Sequence, residues 1–146
     1  MNGPYLDIQQ SMLKYCTDFC QKNGFKFETF DFDTHAEINS LPEADLIGIA
    51  EFGITNSSDK YQSTMMFTIC TQADDNGLKK LRKVVDRMFT DLKPGANIKV
   101  VNAESGNLIG HMTVMDDVAV LPVARTESRP LQMIAVQMGS SFLVPP

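Results

Sequence analysis

The residues that could do chemistry are few and poorly placed for it. The two histidines are His35, in the polar stretch THAEINS, and His111, in the strand-like GHMTV. Neither has a partner at motif spacing, and acid–base catalysis would have to recruit Asp116 or Asp117 to His111. Ser105 in AESGN lacks the G-x-S-x-G frame of an activated serine. Cys16 and Cys20 share a helix face, while Cys70 is remote; a zinc site would need further Cys or His ligands beside them. An odd number of thiols with no framework spacing reads as reduced, buried cysteine. Carboxylates pair at Asp31/Asp33, Asp74–Asp75 and Asp116–Asp117, and oxygen pairs can attract hard cations. Asp74–Asp75 equally suits a helix N-terminus, and Asp116–Asp117 a turn. No phosphate-cradling G-x-x-x-x-G-K or G-x-G-x-x-G occurs. The reading is therefore a chain with no catalytic residue, no cofactor and no metal.

One charge cluster stands out. LKKLRKVVDR places Lys79, Lys80, Lys83 and Arg87 on the polar side of a helix. Such a face is either solvated, with Arg82 and Asp86 pairing at i, i+4, or it meets an acidic partner. The chain as a whole carries −5 over 146 residues. That argues against coating nucleic acid, which needs a net basic face. An apolar content of 43% with 21% charged residues excludes a disordered chain. The N-terminus lacks the basic and apolar regions of a signal peptide. No apolar run approaches the ~20 residues of a membrane helix. The protein is expected to start in the cytosol, with no membrane partner.

The elements that must position these residues follow from periodicity. Tyr5, Ile8, Met12, Cys16, Phe19 and Cys20 form one stripe on a helix from Leu6 to Lys22, closed by Asn23-Gly24. FKFETFDFD alternates with a phase slip at Thr29, predicting a bulge or a strand that ends there. ADLIGIAEFGIT and STMMFTICTQ form an antiparallel hairpin joined by the polar loop NSSDKYQ; Gly48 and Gly53 leave room for close neighbours. A second helix from Asn76 to Leu92 buries Leu78, Leu81, Val85, Met88 and Leu92, widened by Val84 and Phe89. Asp74, Asp75 or Asn76 caps its start and Lys93-Pro94-Gly95 ends it. Strands follow over Ile98–Val101, Leu108–Met115, Val118–Ala124 and LQMIAVQM, with Pro122 breaking the third or placing it at an edge. The expected fold is α+β: one domain over residues 1–146, an antiparallel-rich sheet with both helices on one face, and a flexible C-terminal tail over about residues 139–146.

This succession resembles the tail-terminator (tail-completion) proteins of long-tailed bacteriophages. It shares their amphipathic N-terminal helix (LDIQQSMLKYCTDFC), a following strand, a long hairpin, a basic-faced helix (NGLKKLRKVVDRMFTDL) and closing strands ending LQMIAVQM. The resemblance implies a non-enzymatic virion protein, assembled in the host cytoplasm. It implies a homo-oligomeric ring, commonly a hexamer, that caps the tail tube and joins it to the head. Its partners would be further copies of itself, the tail tube protein and the head–tail connector proteins. DNA would pass through the ring without specific binding.

In that setting the expected interface residues are Lys79, Lys80, Lys83 and Arg87 on the helix. Ser58, Asp59, Lys60 and Tyr61 join them at the hairpin end, because exposed strand edges and tips are natural pairing surfaces. The rival reading is a small acidic monomer that binds a basic partner, as an immunity or inhibitor protein does. Mass in solution separates the two.

Overall fold

The computed structural model describes residues 4–34, 44–56, 60–115, 118–125 and 131–143. Among these residues two helices, α1 (Tyr5–Asn23) and α2 (Asp75–Asp91), pack with eight strands in an α+β fold. The strands are β1 (Glu28–Asp31), β2 (Leu46–Asn56), β3 (Lys60–Gln72), β4 (Asn97–Val101), β5 (Leu108–Val114), β6 (Ala119–Val120), β7 (Ala124–Arg125) and β8 (Leu131–Leu143). They form one sheet in the order β1-β2-β3-β8-β5-β4. All pairings are antiparallel except β1 with β2, which is parallel.

Alternation along the central strands fills the core. Ile47 and Ile49 on β2, Met65, Phe67 and Ile69 on β3, and Ile134, Val136 and Met138 on β8 point to the helix side. There they meet Ile8, Met12, Cys16 and Phe19 of α1 and Leu81, Val84, Val85 and Met88 of α2. Both helices therefore bury their stripes in one core. Leu46, Cys70 and Leu131 form a smaller cluster with Phe30, Phe32 and Met133. Two expected stripe members stay out: Tyr5 is 52% exposed, edge-on to Phe52, and Phe89 is 46% exposed. Apolar spacing marks the centre of a helix stripe better than its margins, where the neighbouring chain decides burial.

The slip at Thr29 separates two environments. Phe25 and Phe27 pack on the main core, while Phe30 and Phe32 join the smaller cluster. The strand is only four residues long and gives way to a 3-10 turn, Phe32–Thr34. Asp31 builds that turn, its carboxylate accepting from the Asp33 N–H at 3.1 Å and its carbonyl from the Thr34 hydroxyl at 2.7 Å. Gly48 is the close-approach position: its neighbour is the Phe30 backbone, with no room for a Cβ. Gly53 meets only an ordinary contact with Thr64.

β2 carries a bulge between Ala50 and Gly53, where Glu51 takes a left-handed φ of 52°. The Asp33 carboxylate clamps it, accepting from the Glu51 N–H at 2.8 Å and the Phe52 N–H at 3.1 Å. Asp33→Ala removes both bonds and leaves the strained residue unsupported. Charge-assisted bonds at an exposed carboxylate are worth about 1–2 kcal/mol here. The urea midpoint is expected to fall accordingly; an unchanged midpoint would show that the bulge holds itself.

The sheet is curled, so α1 reaches both outer strands. On the β1 side, Gln9 donates to Asp31 at 2.9 Å, and the Thr17 and Thr29 hydroxyls lie 2.6 Å apart. On the β4 side, the Ser11 hydroxyl accepts from the Val101 N–H at 2.9 Å, and Asp7 accepts from the Ala103 N–H at 2.8 Å. One helix thus protects two edges that would otherwise invite pairing. The stretch of β2 beyond Ile49, past the end of β1, is the edge that β1 leaves uncovered.

Two expectations about the strands are corrected and a third, the break at Pro122, is met. The tail does not leave the sheet at Gly139: β8 runs through Leu143, paired with β3 along its length. Small residues permit this, since Ser140 bonds to Ser63 at 2.7 Å in the core and Phe142 is buried. Pro145 and Pro146 lie outside the described residues. The hairpin loop is shorter than NSSDKYQ, because Asn56 pairs with Tyr61 and only 57–59 separate the strands. Val118–Ala124 divides into β6 and β7 around Pro122, which has no N–H for a ladder. With β5, these short strands occupy the second edge of β8 in turn.

Candidate interaction surface

Local contacts place α2 and aim its basic face. Asp74 caps the helix, accepting from the Gly77 N–H at 2.6 Å. The Thr71 hydroxyl donates to the Gly77 carbonyl at 2.9 Å. Buried Gln132 donates to the Gln72 carbonyl at 2.8 Å and the Asp74 carbonyl at 3.2 Å. At the other end, Tyr15 donates to Asp91 at 2.6 Å. Burial first, then the Asp91 hydrogen bond and charge, push the Tyr15 hydroxyl far above its usual range, so it remains a donor.

With the apolar stripe turned inward, the polar side of α2 faces out. Lys80 pairs with Asp45 at 3.1 Å. Both groups keep solvent access, so the pair contributes at most ~1 kcal/mol. Arg87 donates from Nε to Asn23 Oδ1 at 2.9 Å, tying α2 to the end of α1. Lys79 and Lys83 are exposed and form no hydrogen bond or ion pair with the described residues. Among the described residues, the four cations thus divide into two that brace the fold and two without a bonded partner.

A cavity of about 350 Å³ opens beside them, where α1 hands over to β1. Lys26, Lys80 and Lys83 line it together with Phe25, Phe27 and Asp45. Gly24, at φ 73°, makes the left-handed turn that brings Lys26 round to α2. Lys26 was not expected here. Nothing in the local pattern of FKFETF indicates that its lysine joins two others some 55 residues further on. A second cavity, of about 400 Å³, lies at the far end of α2 between Phe89, Leu92, Pro94 and Val118.

The hairpin residues are elsewhere. Lys60 and Tyr61 are half-buried at the start of β3, Tyr61 opposite Phe142 and packed on the core. Ser58 and Asp59 lie outside the described residues. From Lys60 to Cys70, which pairs with the start of β2 near Asp45, β3 extends about 33 Å at ~3.3 Å per residue. Lys60 and Tyr61 therefore lie on a different surface from the α2 cations.

Other chemistry is thinly supplied. His111 is exposed on β5 opposite Lys99, and His35, Asp116 and Asp117 lie outside the described residues. Among the described residues, no three His, Cys, Asp or Glu side chains converge to hold a metal ion. Cys16, Cys20 and Cys70 are free and buried. Burial raises the Cys16 and Cys20 thiols above their usual range, most strongly Cys16, which disfavours the reactive thiolate. No described helix is long and apolar enough to cross a membrane. Compared with protein-family models and with curated proteins, the chain matches none.

Proposed function

We propose that the protein is a virion assembly protein of the phage tail-terminator kind. It would form a ring that ends the tail tube and joins it to the head or neck. The observation that carries this reading is the layout: an N-terminal helix, a short strand, a long hairpin, a basic-faced helix and closing strands, all in one curled sheet. The surfaces fit an assembly role. α2 presents exposed Lys79 and Lys83, without a hydrogen bond or ion pair among the described residues, while Phe89, Met115 and Val120 remain more than a third exposed. Distinct patches of this sort suit head-to-tail contacts, which close into rings. Such a ring would carry DNA without gripping it, since the chain's net charge of −5 repels phosphate. Light scattering of the purified chain tests the reading. A particle several times the 16.2 kDa chain mass supports it. A stable monomer favours the small acidic binding module instead.

A further inference from the structure

The β4–β5 hairpin ends in an exposed tip whose shape is set within the chain. Asn102 builds it: its side-chain oxygen accepts from the Glu104 and Ser105 N–H groups at 2.9 Å each, and its carbonyl accepts from the Gly106 N–H at 2.8 Å. Gly106 takes the left-handed φ of 75° that turns the chain back. Asp7 of α1 accepts from the Ala103 N–H at 2.8 Å, so the tip stands at the N-terminal end of that helix. Every residue from Ala103 to Ile109 is exposed. Leu108, at 58%, is the most exposed large apolar side chain among the described residues, and Ile109 is exposed beside it. The Glu104 carboxylate has no hydrogen bond or ion pair among those residues. The tip thus offers one carboxylate next to two uncovered apolar side chains.

The cavity where α1 hands over to β1 has the complementary composition. Phe25 and Phe27, both half-buried, line it together with Lys26, Lys80 and Lys83. Asp45 pairs with Lys80, which leaves the Lys26 and Lys83 ammonium groups without a partner among the described residues. Two surplus cations beside aromatic walls suit a group that is acidic and apolar at once. The tip and the cavity cannot meet within one chain. From Asp7, which holds the tip, to Gly24, which lines the cavity, α1 advances about 25 Å. Complementary patches at opposite ends of one molecule meet only between copies.

We propose that the Lys26/Lys83 cavity receives the β4–β5 tip of a neighbouring copy, with Glu104 against the two ammonium groups and Leu108 against Phe25 and Phe27. This rests on the assembly reading and names its joint. The contact is heterologous, so its repetition closes a ring where the rotation between copies allows. Apolar contact around the ion pair shields it from the salt screening that weakens exposed pairs. Because the tip is already shaped in the single chain, docking costs little ordering entropy.

The test exchanges the charges and reads assembly by light scattering, with thermal unfolding alongside. K26E/K83E and E104K are each expected to unfold like wild type, since all three positions are exposed. Each is expected to raise the concentration for half-assembly about tenfold or more, because attraction across the joint becomes repulsion. The triple variant K26E/K83E/E104K, with the charges exchanged in one chain, is expected to return it to near the wild-type value. If wild type assembles and both variants assemble equally well, the joint is wrong, the assembly reading stands, and the cavity is left to a different acidic partner. If both variants fail and the triple variant does not recover, the joint is also wrong, since the exchanged residues do not face each other. A monomeric wild type overturns the assembly reading together with the joint.

Discussion

Val85→Asp is expected to leave no folded protein. Val85 is 6% exposed in the middle of α2, among fully buried Leu81, Val84 and Met88. The cations of α2 itself, Lys79, Lys80, Arg82, Lys83 and Arg87, are all exposed. An unpaired carboxylate there costs several kcal/mol, and the lost valine burial adds about 1.5–3 kcal/mol. A domain has only about 5–15 kcal/mol of stability to lose. Circular dichroism of the expressed variant checks this. A cooperative transition at the wild-type temperature would mean that the wrong face of α2 has been turned inward.

Gly48→Ala is the second large effect, and it arises from backbone rather than burial. A methyl group at this position collides with the Phe30 carbonyl across the parallel β1–β2 pairing. The obstacle is main chain and cannot rotate aside. β1 must move, and with it the Asp31–Asp33 turn that clamps the bulge. The cost lies at the upper end of the ~1–3 kcal/mol of overpacking or above it. Taking about 3 kcal/mol and the ~2–4 °C per kcal/mol of domains this size, the unfolding midpoint should fall by about 10 °C. A midpoint within a degree of wild type would show that β1 is loosely attached. Gly53→Ala, meeting only Thr64 at 3.6 Å, is the mild control.

Much of this was legible in the residues, and the exceptions have physical causes. α2 could be read nearly to its ends because its stripe, its Asp74 cap and its Pro94-Gly95 stop all agree. The β2–β3 hairpin was equally plain. The parallel pairing of β1 was not, because a four-residue strand carries too little alternation to reveal its partner. Gly139-Ser140-Ser141 reads as the start of a flexible tail, yet small residues there seat the Ser63–Ser140 pair within the sheet. The basic face was visible as helix periodicity. Its division was not: Arg87 is spent on Asn23 and Lys80 on Asp45, whereas Lys26 enters from another element. Periodicity identifies a face, and only tertiary placement decides which of its charges are free.

The central claim is closed self-assembly, and native mass spectrometry combined with electron microscopy tests it most directly. The account predicts one dominant species at a fixed multiple of 16.2 kDa, unchanged as concentration rises, appearing as a ring with a central opening. A 16.2 kDa monomer at every concentration, or an open-ended series of growing oligomers, would contradict it.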